Sequence, residues 1–219
     1  MQTKRPMIKE SVGSQYYAFN TPTEAGVFNP SAYGETIKTD TVKSIGTTEN
    51  SESTVVKASG KDYETVSQSS SVDLAVEVVA FDPDDLAKMR GEIVDESGLI
   101  SSGRNTQRPY FAYGKVVNKV GGGHRYDWYP KCQLVENTDD ITTKEDTFSE
   151  QNDTVTIRCY AFNDAGDIKN YVDSEASNFP EGLTEEKFFN KPIVTAADLV
   201  NAIAGENTEA TGETEVEGA

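Results

Sequence analysis

The stretch Tyr110-Phe-Ala-Tyr-Gly-Lys-Val-Val-Asn-Lys119, Val120-Gly-Gly-Gly123, His124-Arg-Tyr-Asp-Trp-Tyr-Pro-Lys-Cys-Gln-Leu-Val135 decides the fold class. Two β-favouring runs flank a glycine-rich junction. Glycine reaches positive φ without a Cβ penalty, so the junction reads as a hairpin turn. In the second run Tyr126, Trp128, Pro130, Cys132 and Leu134 fall on one face. Arg125, Asp127, Tyr129, Lys131 and Gln133 fall on the other. Alternation of this kind marks a half-buried antiparallel strand. Pro130 removes a ladder donor in mid-run, which predicts an edge strand or a bulge there.

The same period extends outward. Val72, Leu74, Val76, Val78 and Ala80 alternate with Asp73 and Glu77. Val155, Ile157, Cys159 and Ala161 stand opposite Thr156, Arg158, Tyr160 and Phe162. Gln15–Phe19 and Tyr33–Thr39 are shorter strand-like pieces. The pattern predicts a mainly β fold, a β-sandwich or partial barrel of about six to eight strands.

Three short helices are expected beside it. Asp82 caps the first, Pro83 takes a position where no N–H is missed, and Gly91 ends it. Asp84 and Asp85 sit at its positive dipole end, Lys88 and Arg90 at its negative end. The second is expected over Thr184–Asn190. The third, Thr195–Ala204, carries a Thr195/Asp198 capping box and ends at Gly205. Its apolar face is Leu199, Ala202 and Ile203.

Between Asp40 and Ser71, 13 of 32 residues are Ser or Thr and no alternation holds, which reads as a long inserted loop. Its scattered Val42, Ile45, Val55, Val56, Tyr63 and Val66 are too many for a plain linker, so the loop is expected to pack on something, another copy being one candidate. Residues 205–219 hold five Glu and no basic residue, the composition of a disordered acidic tail. The expected division is therefore a β domain over 1–194, a helix over 195–204 and the tail over 205–219.

The 219-residue chain has a formal charge of −17, which argues against a general binder of phosphate backbones or anionic membranes. Its single histidine, His124, makes a hydrolytic triad improbable, and Cys132 and Cys159 are too few for a zinc site. Both cysteines fall in strand-like runs and read as free core thiols. The start of the sequence lacks the apolar stretch of a secretory signal, and no run is long enough to span a membrane, so a soluble, cytoplasmically made protein is expected. The acids at 82–85 lack the alternating ligands of a calcium loop, and Gly121–Gly123 lacks the Gly-Lys-Ser/Thr of a phosphate loop. The Asn152-Asp-Thr154 sequon reads as chance. No carboxylate pair stands out by spacing. The expectation is no enzyme, no cofactor and no metal.

Charge is unevenly spread. Residues 101–134 hold Arg104, Arg108, Lys115, Lys119, Arg125 and Lys131 against one acid, Asp127. This local +5 leaves −22 on the rest of a −17 chain. Tyr110, Phe111, Tyr113, Tyr126, Trp128 and Tyr129 are interleaved with it. Three readings stay open: a hairpin over 104–131 that stacks single-stranded nucleic acid, an ordinary sandwich core under a solvated basic face, or a basic surface that meets the acidic surface of another copy.

From Val72 to Phe162 the order of features resembles a known family. An alternating strand ends in Phe81-Asp-Pro83, a short helix stops at Gly91, and "ESGLI" follows. Then come the hairpin "RPYFAYGKVVNKVGGGHRYDWYPKCQL" and "ITTKEDTFSEQNDTVTIRCYAFN", with a Thr-Lys-Glu-Asp turn and a last strand. This order resembles the major tail proteins, or tail-tube subunits, of long non-contractile-tailed bacteriophages. It covers about residues 8–194 and is most specific over 72–165. The resemblance implies a β-sandwich or partial barrel with one flanking helix, assembled into hexameric rings that stack around a tape-measure protein. It implies tail-tip and tail-terminator proteins as further partners, double-stranded DNA in transit through the lumen, no membrane, and a place in the virion tail after assembly in the host cytoplasm. Subunit contacts would fall on Val55, Val56, Tyr63 and Val66 of the loop and on Lys115, Lys119 and Arg125 of the hairpin.

Overall fold

The glycine junction turns at Gly121 (φ 90°) and Gly122 (φ 84°), joining two long strands as the sequence predicts. A computed structural model describes residues 5–205 apart from 23, 25, 60, 104–106, 140 and 144–149. Side chains at 52–54, 56, 58, 62 and 64–69 also lie outside that description. The expected tail beyond Gly205, Arg104 and the Thr-Lys-Glu-Asp turn fall on or into the undescribed residues.

The elements are β1 (Lys9–Phe19), β2 (Ile37–Thr39), β3 (Val42–Ala58), β4 (Lys61–Val78), α1 (Pro83–Arg90), β5 (Ile93–Val94) and β6 (Ile100–Ser101). They continue with β7 (Phe111–Lys119), β8 (His124–Thr138), β9 (Asp153–Cys159), β10 (Asn170–Asp173), α2 (Glu185–Phe189) and α3 (Ala196–Ala204). The protein is mainly β. One eight-stranded antiparallel sheet runs β2-β1-β7-β8-β9-β4-β3 with β10 paired to β8 off that path, and β5 and β6 form a separate small hairpin. Strand β8 is long enough to serve two neighbours, pairing β10 over 125–128 and β9 from Cys132 onward.

The sheet curls. Strands β1 and β3, far apart along the pairing path, come within 8 Å at their Cα atoms. Ser14 Oγ donates to Asp40 Oδ1 at 2.5 Å across the seam, and Lys115 Nζ on β7 donates to Thr47 Oγ1 on β3 at 2.6 Å. No ladder joins β1 to β3 among the described residues, so the curl is a partial barrel rather than a closed one.

Curling gives the sheet two apolar faces. Inside lie Tyr17, Leu74, Val76, Phe111, Tyr113, Tyr129, Leu134, Val155 and Ile157, with Met89 of α1 against them. Helix α1 has the expected caps: Asp82 accepts from the amides of Asp84 and Asp85, and Gly91 takes a left-handed φ of 69°. Tyr17 Oη donates to Asp85 Oδ2 at 2.7 Å, tying α1 to β1. Outside, Tyr16, Ala112, Val116, Tyr126 and Trp128 are covered by Leu183, Phe188, Phe189 and Ile193. Trp128 Nε1 donates to the Phe188 carbonyl at 3.0 Å, so the ring is buried without an orphaned donor. Burying each such side chain stabilises the fold by about 1.5–3 kcal/mol before entropy is counted. Helix α3 carries the expected Thr195 capping box, and Thr184 caps α2.

Several expectations are corrected. The Asp40–Ser71 segment is no irregular loop: β3 and β4 pair from Val42↔Val78 to Ala58↔Lys61. Alternation is missing because the outer part of this hairpin leaves the sheet, so neither of its faces needs an apolar set. Pro130 does not mark an edge, since β8 lies between β7 and β9. It sits in a bulge, where Tyr113 to Phe111 on β7 is two residues but Tyr129 to Cys132 on β8 is three. The extra residue shifts the phase, so Cys132 and Leu134 share the inner core with Tyr129, not the outer face with Tyr126 and Trp128. Strand Tyr33–Thr39 shrinks to Ile37–Thr39, with Tyr33 in an isolated bridge to Asn20.

Candidate functional site

Two features stand outside the core's needs: the arm made by β3 and β4, and a basic cleft at the β1/β3 seam. Strand β4 pairs β9 only over Val72–Val78. Beyond Ser71 the hairpin has no further strand beside it among the described residues, and both of its edges are open. About ten residues per strand project, a reach of roughly 33 Å at about 3.3 Å per residue.

The base of the arm is anchored by a chain of charges. Arg158 on β9 grips Asp73 on β4 through two bonds, Nε to Oδ1 at 2.7 Å and Nη2 to Oδ2 at 2.9 Å. Asn50 Nδ2 on β3 donates to Asp73 Oδ2 at 3.0 Å and Ser71 Oγ at 3.1 Å. Hydrogen bonding from Arg158 holds the Asp73 carboxyl below its ordinary value. A bulge at Ser70 lies at this base, between the pairs Asn50↔Ser71 and Ser51↔Ser69. A second bulge leaves Tyr63 unpaired between Val56↔Glu64 and Lys57↔Asp62. Bulges re-aim side chains, and Tyr63 is 75% exposed. Val55 is also exposed. Val56 and Val66 lie on the paired backbone opposite Glu64 and Thr54, and their side chains are outside the described set.

The hairpin's basic residues lie elsewhere and mostly inward. Lys115 is buried, with Thr47 as its close partner, Asp127 Oδ2 at 3.9 Å and the Tyr129 ring centroid at 5.5 Å. Burial pushes its ammonium below the ordinary lysine value, with Asp127 opposing. Arg125 holds Asp127 bidentately at 2.8 and 2.9 Å. Lys119 is buried against Asp173, at 2.6 and 2.7 Å, and against Glu175. Lys119 therefore spends its charge inside the chain and Lys115 is buried, so neither forms an outward basic face. The aromatic residues are likewise consumed: Phe111, Tyr113, Tyr126, Trp128 and Tyr129 are all buried, so they offer no platform for base stacking. Tyr110 packs with Phe28, Tyr160 and the Lys131 ammonium.

The cleft, about 540 Å³, runs between β1 and β3 over a floor of β7 and β8. Lys9, Lys115, Arg125 and Lys169 line it, with Glu10 and Glu49 at its walls. Lys169 Nζ meets Glu49 Oε1 at 3.4 Å. Thr47, Lys9 and Lys169 carried no sequence signal, because curling of the sheet alone brings them together. A larger hollow of about 730 Å³ lies where Lys187, Asn190 and Asp198 face Tyr33 and Phe162. Its polar groups serve the helix ends: Asp198 accepts from Thr195, and Lys187 Nζ donates to the Ile203 carbonyl.

Cys132 and Cys159 are register partners across β8 and β9, buried, with Sγ atoms 3.2 Å apart as free thiols. Burial pushes the Cys132 thiol well up, so it has no nucleophilic thiolate at neutral pH. Among the described residues no group of three or more His, Cys, Asp or Glu side chains is placed to hold a metal ion. Among them, too, no helix is long and apolar enough to cross a membrane.

No family model matches the chain, and no curated protein matches it. Among solved structures, a chain in the six-fold symmetrised cryo-EM structure of the anti-feeding prophage baseplate is similar to it. The likeness covers 80% of this chain and all of that one, at 10% identity and a TM-score of 0.43.

Proposed function

We propose that this chain is a structural subunit of a bacteriophage tail tube, one that self-assembles into hexameric rings stacked as a conduit for DNA ejection. The observation that carries the reading is the arm. A hairpin that leaves its sheet, with both edges open among the described residues and Val55 and Tyr63 exposed, offers a surface suited to contact with a further copy. Open edges invite pairing, and a partner that covers them removes the hazard. A contact between the arm of one copy and the body of the next is heterologous, the kind that closes rings or propagates stacks.

The ordered sequence resemblance over 72–165 supports the same reading and supplies the partners: tape-measure, tail-tip and tail-terminator proteins, with double-stranded DNA passing through. Six chains of −17 bring about 100 negative charges to a ring, which repels phosphate and favours sliding over sticking. The competing reading, a single-strand-binding module on 104–131, is disfavoured by the burial of Tyr113, Tyr126, Trp128 and Tyr129.

Negative-stain microscopy of the concentrated protein, with and without tail-initiation partners, tests the proposal. Rings or tubes of uniform diameter are expected. A species that stays monomeric under both conditions would falsify it.

A further inference from the structure

The seam cleft carries more positive charge and more hydrogen-bond donors than its own residues use. Asp127 is taken by Arg125 and Glu49 by Lys169, which leaves Lys115 with one close acceptor, the Thr47 hydroxyl. An ammonium has three donors to place. The Lys115 ion pair with Asp127 is long, at 3.9 Å, so the ammonium is short of acceptors. Backbone is available too. Strand β2 pairs β1 only over Gln15–Tyr17, so the β1 edge over 9–13 and the facing edge of β3 over 45–49 have no ladder partner there among the described residues.

A ligand for such a slot is extended, to pair with strand edges, and carries carboxylates at alternate positions, to present them all on one face. The sequence contains one such segment. Gly212-Glu-Thr-Glu-Val-Glu-Gly218 puts Glu213, Glu215 and Glu217 at every second position, with Thr214 and Val216 between them. Its first carboxylate, Glu213, is eight residues past Gly205, a reach of roughly 26 Å when extended. We propose that the β1/β3 cleft is a docking site for an extended acidic segment, and that its occupant is the chain's own stretch from residue 212 to 218. Carboxylates entering the slot supply the acceptors that Lys115 lacks, while Lys9 and Lys169 pair with those nearer its mouth.

The test uses the full chain. A carbodiimide, which joins carboxylates to amines only when they touch, is applied at low salt and the linked peptides are read by mass spectrometry. Links from Glu213, Glu215 or Glu217 to Lys9 or Lys169 are expected, and mixing isotopically light and heavy chains tells whether the segment comes from the same copy or a neighbour. In the same samples a glutamyl endoprotease should cut the tail of the Lys9→Glu/Lys169→Glu variant at least about tenfold faster than that of the unaltered chain, since cleavage follows the undocked population. A Glu213→Gln/Glu215→Gln/Glu217→Gln chain should lose the links while keeping its circular dichroism spectrum. Links scattered evenly over surface lysines such as Lys57, Lys61 and Lys88 would overturn the proposal. Equal tail cleavage in the Lys→Glu variant and the unaltered chain would do the same.

Discussion

Any Cβ at Gly114 would stand 2.7 Å from Cε1 of Phe189. The glycine is therefore the floor on which the α2 aromatic lies, and the Tyr16 ring stacks on that aromatic with centroids 3.9 Å apart and planes 1° off parallel. Gly114 sits mid-strand, where glycine ordinarily weakens a sheet. Close approach of a ring to the backbone is the compensation.

Gly114→Ala should cost about 1–3 kcal/mol by forcing Phe189 off the sheet. Phe189→Ala should cost about 3–5 kcal/mol by opening the outer core. The double variant should be less destabilised than the sum by at least about 0.5 kcal/mol, because the clash needs both partners. Urea titrations of all four proteins measure this, and strictly additive costs would dismiss the packing account.

Stability should fall on the alkaline side. Burial raises the phenols of Tyr17, Tyr113 and Tyr129, and pushes Tyr126 up to about 12. A phenol whose folded pKa lies above its unfolded value, about 10, binds its proton more tightly when folded. Its contribution is complete below pH 10 and is lost as pH rises through the folded value. The phenolate absorbance of these four residues, taken as the part lost when they are replaced by Phe, should therefore appear in one cooperative step coincident with unfolding. Ionisation of these four phenols near pH 10 with the fold intact would contradict it.

Cys132 and Cys159 should both resist a thiol reagent in the native protein and both react in denaturant, since burial removes access and keeps the Cys132 thiol protonated. Stopped-flow thiol counting distinguishes the states. Fast native labelling of either residue would show that the β8/β9 core opens on its own.

Replacing residues 51–69 by an Asn-Gly turn should leave the body folded, because both core clusters lie outside that segment. The near-ultraviolet circular dichroism spectrum should be retained while tube formation is lost. Normal tubes from that protein would separate the arm from assembly.

The helices were legible because capping is local: Asp82, Pro83 and Gly91 report a boundary within ten residues. Inner strands were legible wherever a strand buries one face, as Val72–Val78 does. The arm was not, because beyond Ser71 no further strand lies beside it among the described residues and its sequence carries no period to read. Nor was the bulge's phase shift, although Pro130 marked its place, since one extra residue changes every side chain after it. The cleft was the least legible. Lys9, Thr47, Lys115 and Lys169 come from four distant stretches, and only the approach of β1 to β3 unites them. Lys115 and Arg125 were singled out as surface charge, whereas their real neighbours are Thr47 and Asp127.

The pairing of β1 with β7 also has a meaning in time. Lys9 meets Lys119 and Phe19 meets Phe111, so the first strand made waits for a partner roughly a hundred residues behind it. At about 5–20 residues per second the ribosome takes on the order of 5–20 s to deliver that partner. Hairpin formation takes microseconds, so β3 and β4 can pair long before the barrel around them exists. On a polysome, arms from neighbouring nascent chains would thus be displayed before any body is ready to receive them. Lys43, Glu49, Lys57, Lys61 and Glu64 lie along those strands, and charge on an open edge disfavours premature pairing.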